Sequence, residues 1–191
     1  MKFKDAQKLA VEKLSSQEFL NRIQNEDPSM LKQLDILKEI NTLGYITLES
    51  QAGRKKRGLH YAEKWEYLIE ERAYCKGYML QDVAAKFIQQ MAYETDKTAV
   101  MIPTVPNETD IPAETDIPLT TTTRVSSGKR WTETHMSMAL PEAVDTMYHT
   151  HLHLNKREKA VLVFCWDTKW NRMANGEHGL FTDIIKVLKS I

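Results

Sequence analysis

A helical spacing runs from the start of the chain: Phe3, Ala6, Leu9, Ala10, Lys13 and Leu14 form one stripe, and Phe19, Leu20 and Ile23 resume it after Ser15 and Ser16. The interruption predicts two short amphipathic helices or one broken helix. Asp27 and Pro28 then read as a cap and a first helical position, and Leu31, Leu34, Leu37, Ile40 and Leu43 hold one face until Gly44 ends the helix. From Tyr45 to Glu49 the period changes to two, with Tyr45, Thr47 and Glu49 on one side and Ile46 and Leu48 on the other, which predicts a strand.

Further along, Trp65, Leu68 and Ile69 fit a helix over about 62–70 that passes into a strand from about 71 to 78, where Ala73, Cys75 and Gly77 share a face. Leu80 or Gln81 opens another helix with Val83, Phe87, Ile88 and Met91 turned inward, and 97–105 reads as a buried strand. The character changes at about 106–119, where ETDIPA returns as ETDIPL with proline every six residues. Such a segment predicts an extended, exposed loop, and two copies are too few for a solenoid. A hairpin follows around Ser127 and Gly128, and one of its strands would put Trp131, Glu133 and His135 on a common face. Val161 to Trp166 is apolar on both sides, as expected of a central strand covered on both faces. Leu180, Phe181, Ile184, Ile185, Leu188 and Ile191 predict a last helix. The sum is one α+β domain over 1–191, with N-terminal helices, a mixed β-sheet and a C-terminal helix.

A chain of 191 residues is long enough to bury roughly 70% of the surface that its unfolded form exposes, so the predicted core is adequate without staples. Its 26 basic and 26 acidic residues cancel, which removes any global field toward nucleic acid or an anionic membrane. The two cysteines, Cys75 and Cys165, sit among apolar residues and suit free thiols in a reducing, intracellular compartment. No signal-like apolar region opens the chain and no window approaches eighteen apolar residues, so neither secretion nor membrane spanning is expected.

Three histidines, His149, His151 and His153, carry the first candidate chemistry, because closely spaced imidazoles can hold zinc or another divalent metal. On a strand all three share a face. On a helix begun by Pro141 only His149 and His153 align, with Val144, Met147, Tyr148 and Leu152 as the apolar stripe, and the sequence leaves both forms open over 141–153. A metal site needs three or four converging ligands, and no HExxH or paired CxxC is present. A polar run at the end of an element is therefore favoured, and no cofactor is expected.

The second candidate is the basic cluster Arg54, Lys55, Lys56 and Arg57 between Gly53 and Gly58. Backbone amides and arginine forks there could cradle a phosphate. Without a GxxxxGK[ST] or GxGxxG pattern a solvated loop tip is the better reading. Tyr45, His60, Tyr61, Trp65 and Tyr74 lie near, as a nucleic-acid site would require, but Glu63, Glu66, Glu70 and Glu71 weaken the field, and nucleic acid is not the expected partner. Burial would raise the cysteine pKa values, no serine sits in a GxSxG elbow, and no carboxylate pair has a visible apolar pocket to split its titration, so catalysis is not expected.

The stretch from Asn41 to Gly53, N-x-x-G-Y-I-T-x-E-S-Q-x-G, resembles a pattern in uncharacterised proteins of large DNA viruses. Arg72 to Tyr78, R-A-Y-x-x-G-Y, resembles a second element of those proteins, and W-D-x-x-W-x-R from Trp166 to Arg172 is a weaker echo. The resemblance covers about a fifth of the chain and implies a viral origin with no assigned chemistry. If the first two stretches pair as strands, Ser50, Gln51, Arg72, Tyr74 and Gly77 could line one polar surface, since glycine in a strand often marks the close approach of a ligand or a second backbone. The leading expectation is a non-catalytic intracellular binding or accessory module for a protein or small-molecule ligand. A metal-dependent enzyme built on the histidine run, joined by Glu133 and His135, and a virion structural or scaffolding subunit are the competing classes.

Overall fold

The computed structural model describes residues 1–26, 28–60, 65–102, 117–126, 129–137 and 159–191. Helices α1 (Phe3–Leu14) and α2 (Gln17–Glu26) are separated at Ser15 and Ser16, and the Ser16 hydroxyl accepts the Phe19 amide at 3.3 Å, which caps the second helix. A 3-10 helix (Pro28–Gln33) leads into α3 (Leu34–Thr42). The expected continuous helix thus begins as a tighter turn, and the expected cap Asp27 lies outside the described residues. Gly44 and Tyr45 close α3 by donating to the carbonyls of Asn41 and Ile40 at 3.2 Å each, while Tyr45 and Ile40 are both fully buried.

Among the described residues eight strands follow: β1 (Ile46–Ala52), β2 (Lys55–His60), β3 (Trp65–Glu71), β4 (Ala73–Leu80), β5 (Lys97–Ile102), β6 (Ile117–Ser126), β7 (Lys129–Ser137) and β8 (Ala160–Asp167). Helix α4 (Gln81–Glu94) joins β4 to β5, and α5 (Leu180–Ser190) follows β8. The α+β class, with helices at both ends, is the expected one. The expected mixed sheet is instead two four-stranded sheets, ordered β1-β4-β8-β5 and β2-β3-β6-β7, whose described pairings are all antiparallel.

The two sheets share one ribbon. The β1–β4 pairing ends at Ala52 opposite Ala73, and the β2–β3 pairing starts at Lys55 opposite Glu70 in the same register and runs to His60 opposite Trp65. Between these two paired arms lie Gly53 and Arg54 on one side and Glu71, the last residue of β3, with Arg72 on the other. Two expectations fail here. The helix over 62–70 is strand β3 from Trp65 onward, and the basic run Lys55, Lys56, Arg57 is the body of β2, with Arg54 at the bend, where a loop tip was expected. Both errors have one cause: the charges read as a solvated turn only while their cross-strand partners are unknown. Lys55 meets Glu70 at 3.1 Å and Arg54 meets Glu71 at 2.6 Å.

The predicted hairpin pairs β6 with β7 around 127–128, which lie outside the described residues. Strand β6 already includes Ile117, Pro118 and Leu119, the last residues of the predicted loop, whose remainder at 106–116 also lies outside.

Strand β8 is central, between β4 and β5, and is buried along nearly its whole length, as its two-sided apolarity predicts. One face of its sheet packs Cys75, Met79, Val163 and Cys165 against α3, α4 and α5 through Ile40, Phe87, Met91, Phe181 and Ile184. The opposite face meets α1, where Phe3 and Ala6 contact Ile46, Tyr78 and Leu162. No helix among the described residues is long and apolar enough to cross a membrane.

Candidate functional site

At the bend of the ribbon the chain needs a sharp change of direction inside a hydrogen-bonded pair, and Gly53 supplies it with φ +67°. A Cβ at Gly53 would lie 2.5 Å from the Arg172 carbonyl oxygen, so the bend is also pressed against the segment after β8. That segment supplies bonds that the opened ladder loses. The Asn171 amide donates to the Glu71 carbonyl at 3.0 Å and the Ala174 amide to the Ala52 carbonyl at 2.8 Å. Gln51 Nε2 donates to the Arg72 carbonyl at 3.0 Å. The Arg72 guanidinium lies 4.4 Å from the centre of the Trp170 ring, and Asn171 Nδ2 donates to Glu70 Oε1 at 2.9 Å. The Asn171 and Lys55 hydrogen bonds hold the Glu70 carboxyl below its ordinary value.

A charged cluster anchors the far end of this segment. Lys97 is fully buried, with its ammonium 2.9 Å from Asp183, 3.9 Å from the buried Asp167 and paired to Asp96. Arg172 donates from Nε to Asp167 at 2.7 Å and from Nη2 to Asp96 at 2.9 Å. Burial works to raise the Asp96 carboxyl, but its bonds to Lys97 and Arg172 prevail and hold it well below the usual range. Every charge in the cluster meets an opposite one, which is the signature of a structural clasp.

Most polar side chains of the Asn41–Gly53 stretch are spent on the fold. Asn41, buried, accepts the Thr47 amide at 3.0 Å and donates from Nδ2 to the Thr47 hydroxyl and the Leu37 carbonyl. The Tyr45 hydroxyl, buried and pushed well up by that burial, lies 2.9 Å from the Cys75 carbonyl and 3.0 Å from that of Val163. Glu49 pairs with Lys76 at 3.0 Å, and Gln51 and Gly53 serve the bend. Ser50 is the exception: its hydroxyl has no hydrogen-bond partner among the described residues, and it faces a cleft.

This cleft, of about 610 Å³, lies beside β1, the edge strand of its sheet. Its walls come from α1 and α2, from Met30 and the first turns of α3, and from Ile46 to Ser50 of β1, with Tyr74 reaching in from β4. They are mainly apolar: Leu9, Leu14, Phe19, Ile23, Leu34 and Leu48 contribute. The strand edge facing it is closed at both ends. Asn41 takes the Thr47 amide, and Ala174 takes the Ala52 carbonyl. The one-residue bulge between Thr47 and Glu49 keeps these outward groups in phase with Ser50, so alternation leaves the Ser50 main chain as the open rung between the two caps. Tyr74 stacks edge-on against Phe164 at 5.8 Å, and burial, with Glu49, Cys75 and Glu71 adding, pushes its hydroxyl up to about 12, so it serves the cleft as a neutral phenol.

The five residues expected on one polar surface are therefore divided. Cross-strand pairing puts Gln51 with Tyr74 on one face and Ser50 with Cys75 on the other. Ser50 and Tyr74 both reach the cleft, while Gln51 and Arg72 belong to the bend. The close approach at Gly77 is to β1 itself, because a Cβ there would lie 2.1 Å from the Ile46 carbonyl oxygen. Cys75 and Cys165 are free and buried, and burial raises Cys75 well above an ordinary thiol. His149, His151 and His153 lie outside the described residues, and among those that are described no three His, Cys, Asp or Glu side chains gather as metal ligands.

Sequence reasoning put Lys13 on the stripe of the first helix but missed that α1 and α2, with Lys13 and Arg22, wall a cleft beside β1, a joining that no local pattern reveals. It also missed Lys97 and Asn171, although the W-D-x-x-W-x-R echo contains the latter. Compared with models of known protein families and with curated proteins, the chain matches none.

Proposed function

We propose that this chain is a non-catalytic binding module whose site is the cleft beside β1. The observation that carries this reading is the pairing of a largely apolar hollow of about 610 Å³ with the Ser50 hydroxyl, which has no partner among the described residues, in a motif whose other polar groups are engaged in holding the fold. Small-ligand sites have this size and this economy of polar groups, roughly 300–1,000 Å³ with a few polar anchors. Two free, buried cysteines support an intracellular setting, and the resemblance of Asn41 to Gly53 extends the reading to an accessory protein of a large DNA virus.

The test is binding of a neutral apolar dye, Nile red, to the purified chain and to Ala10→Trp, which places an indole in the cleft wall. The expected result is saturable binding by the wild type and its loss in the variant, with the two melting alike. Absence of binding to the wild type, or equal binding by both, would sink the reading.

A further inference from the structure

We infer that the cleft takes a neutral ligand that ends in a primary carboxamide, with its apolar body along the walls and its amide paired with the Ser50 main chain; this rests on the binding reading above. The outward rungs of β1 decide which groups are left to read a ligand. Thr47 gives its amide to Asn41 Oδ1 at 3.0 Å, and Ala52 gives its carbonyl to the Ala174 amide at 2.8 Å. Between them the Ser50 N–H and C=O both point away from β4 and have no partner among the described residues, and Ser50 lines the cleft.

In water these two groups are hydrated. A ligand that displaces the water must return one acceptor and one donor, side by side, or leave a buried main-chain group unpaired. A primary carboxamide carries that pair, because its carbonyl and one N–H lie on the same side of the C–N bond. A carboxylate or a ketone has no donor for the Ser50 carbonyl. An extended peptide offers the pair at every second residue, but a strand docked here would meet neighbouring rungs already bonded to Asn41 and Ala174. The rest of the lining, with Leu9, Leu14, Phe19, Ile23 and Leu48, asks for hydrocarbon.

The experiment titrates the full chain, preloaded with Nile red, with decanamide, with methyl nonyl ketone, in which a methyl replaces the amino group, and with decanoate. Decanamide is expected to displace the dye about tenfold more tightly than either, the worth of one hydrogen bond to a group otherwise left unpaired. Ser50→Pro deletes the outward N–H, which takes no part in the β1–β4 ladder, and should weaken decanamide about tenfold while Nile red still binds. Independently of that variant, saturating decanamide should slow hydrogen exchange of the wild-type Ser50 amide, followed by NMR. Equal affinity for amide and ketone, tighter binding of decanoate, or unchanged exchange at Ser50 overturns the carboxamide assignment and leaves the cleft reading standing. So does decanamide bound equally by Ala10→Trp, or a Ser50 amide already protected in a ligand-free dimer, which would give the rung to a second copy. Failure of Nile red and all three ligands to bind overturns both.

Discussion

The Gln51 side-chain amide donates to the Arg72 carbonyl across the bent ribbon, at 3.0 Å, in place of a bond that an unbent ladder would make between main chains. Removing it strands a partly buried carbonyl. Gln51→Ala is therefore expected to lower stability by about 1–3 kcal/mol, and Arg72→Ala, which keeps the carbonyl but loses the Trp170 stacking, by about 0.5–2 kcal/mol. Urea unfolding measures both. Changes within about 0.5 kcal/mol for the pair would show that the bend is indifferent to them.

Gly53 joins a left-handed backbone to a close contact, so Gly53→Ala should cost more than about 1 kcal/mol. Gly176→Ala is the control, since the nearest atom to its added carbon is the Met173 carbonyl oxygen at 3.4 Å. Thermal unfolding of the two variants should separate them clearly, and equal melting would contradict the packed bend.

Lys97→Met removes a fully buried ammonium from Asp183 and Asp167. Uncompensated buried carboxylates cost about 3–5 kcal/mol when their partner is deleted. Lys169→Met, at an exposed side chain 3.4 Å from Asp96, should change stability by less than about 1 kcal/mol. A small effect of the first substitution would mean that the cluster tolerates unpaired charge.

Acid should weaken the clasp through Asp96. Its carboxyl is lowered in the folded protein, so its contribution is complete above the unfolded value, roughly pH 4, and is lost as pH falls through the folded one. Melting temperature measured from about pH 6 to about pH 2.5 should fall less steeply below about pH 5 in Asp96→Asn than in the wild type. Parallel curves would assign the acid limb to other groups.

Local patterns expose much of this architecture and little of its site. The Ser15–Ser16 break, the end of α3 at Gly44, helix α4 and the two-sided apolarity of β8 all follow from spacing and from turn residues. The stretch from Arg54 to Glu71 does not, because its strands are made by charge pairs between residues that are distant in sequence. Glu70 and Glu71, which read as acids that spoil a basic patch, are the partners of Lys55 and Arg54. The cleft is hidden for the same reason. Lys13, Arg22, Ser50 and Tyr74 meet only after three helices have been laid against the edge of β1.

A ribbon that runs through both sheets also sets an order of assembly. Its two arms close on each other from the His60–Trp65 end, a short-range event, whereas β8 must reach β4 across long stretches of chain, as the contact between Cys165 and the Cys75 carbonyl, 90 residues apart, illustrates. Long-range strand insertion is slow relative to hairpin closure. Amides of β2 and β3 should gain protection in a pulse-labelling refolding experiment before those of β8, and the core sheet should be completed around a hairpin that already exists. Simultaneous protection of both sets would mean that the ribbon has no life of its own before the core forms.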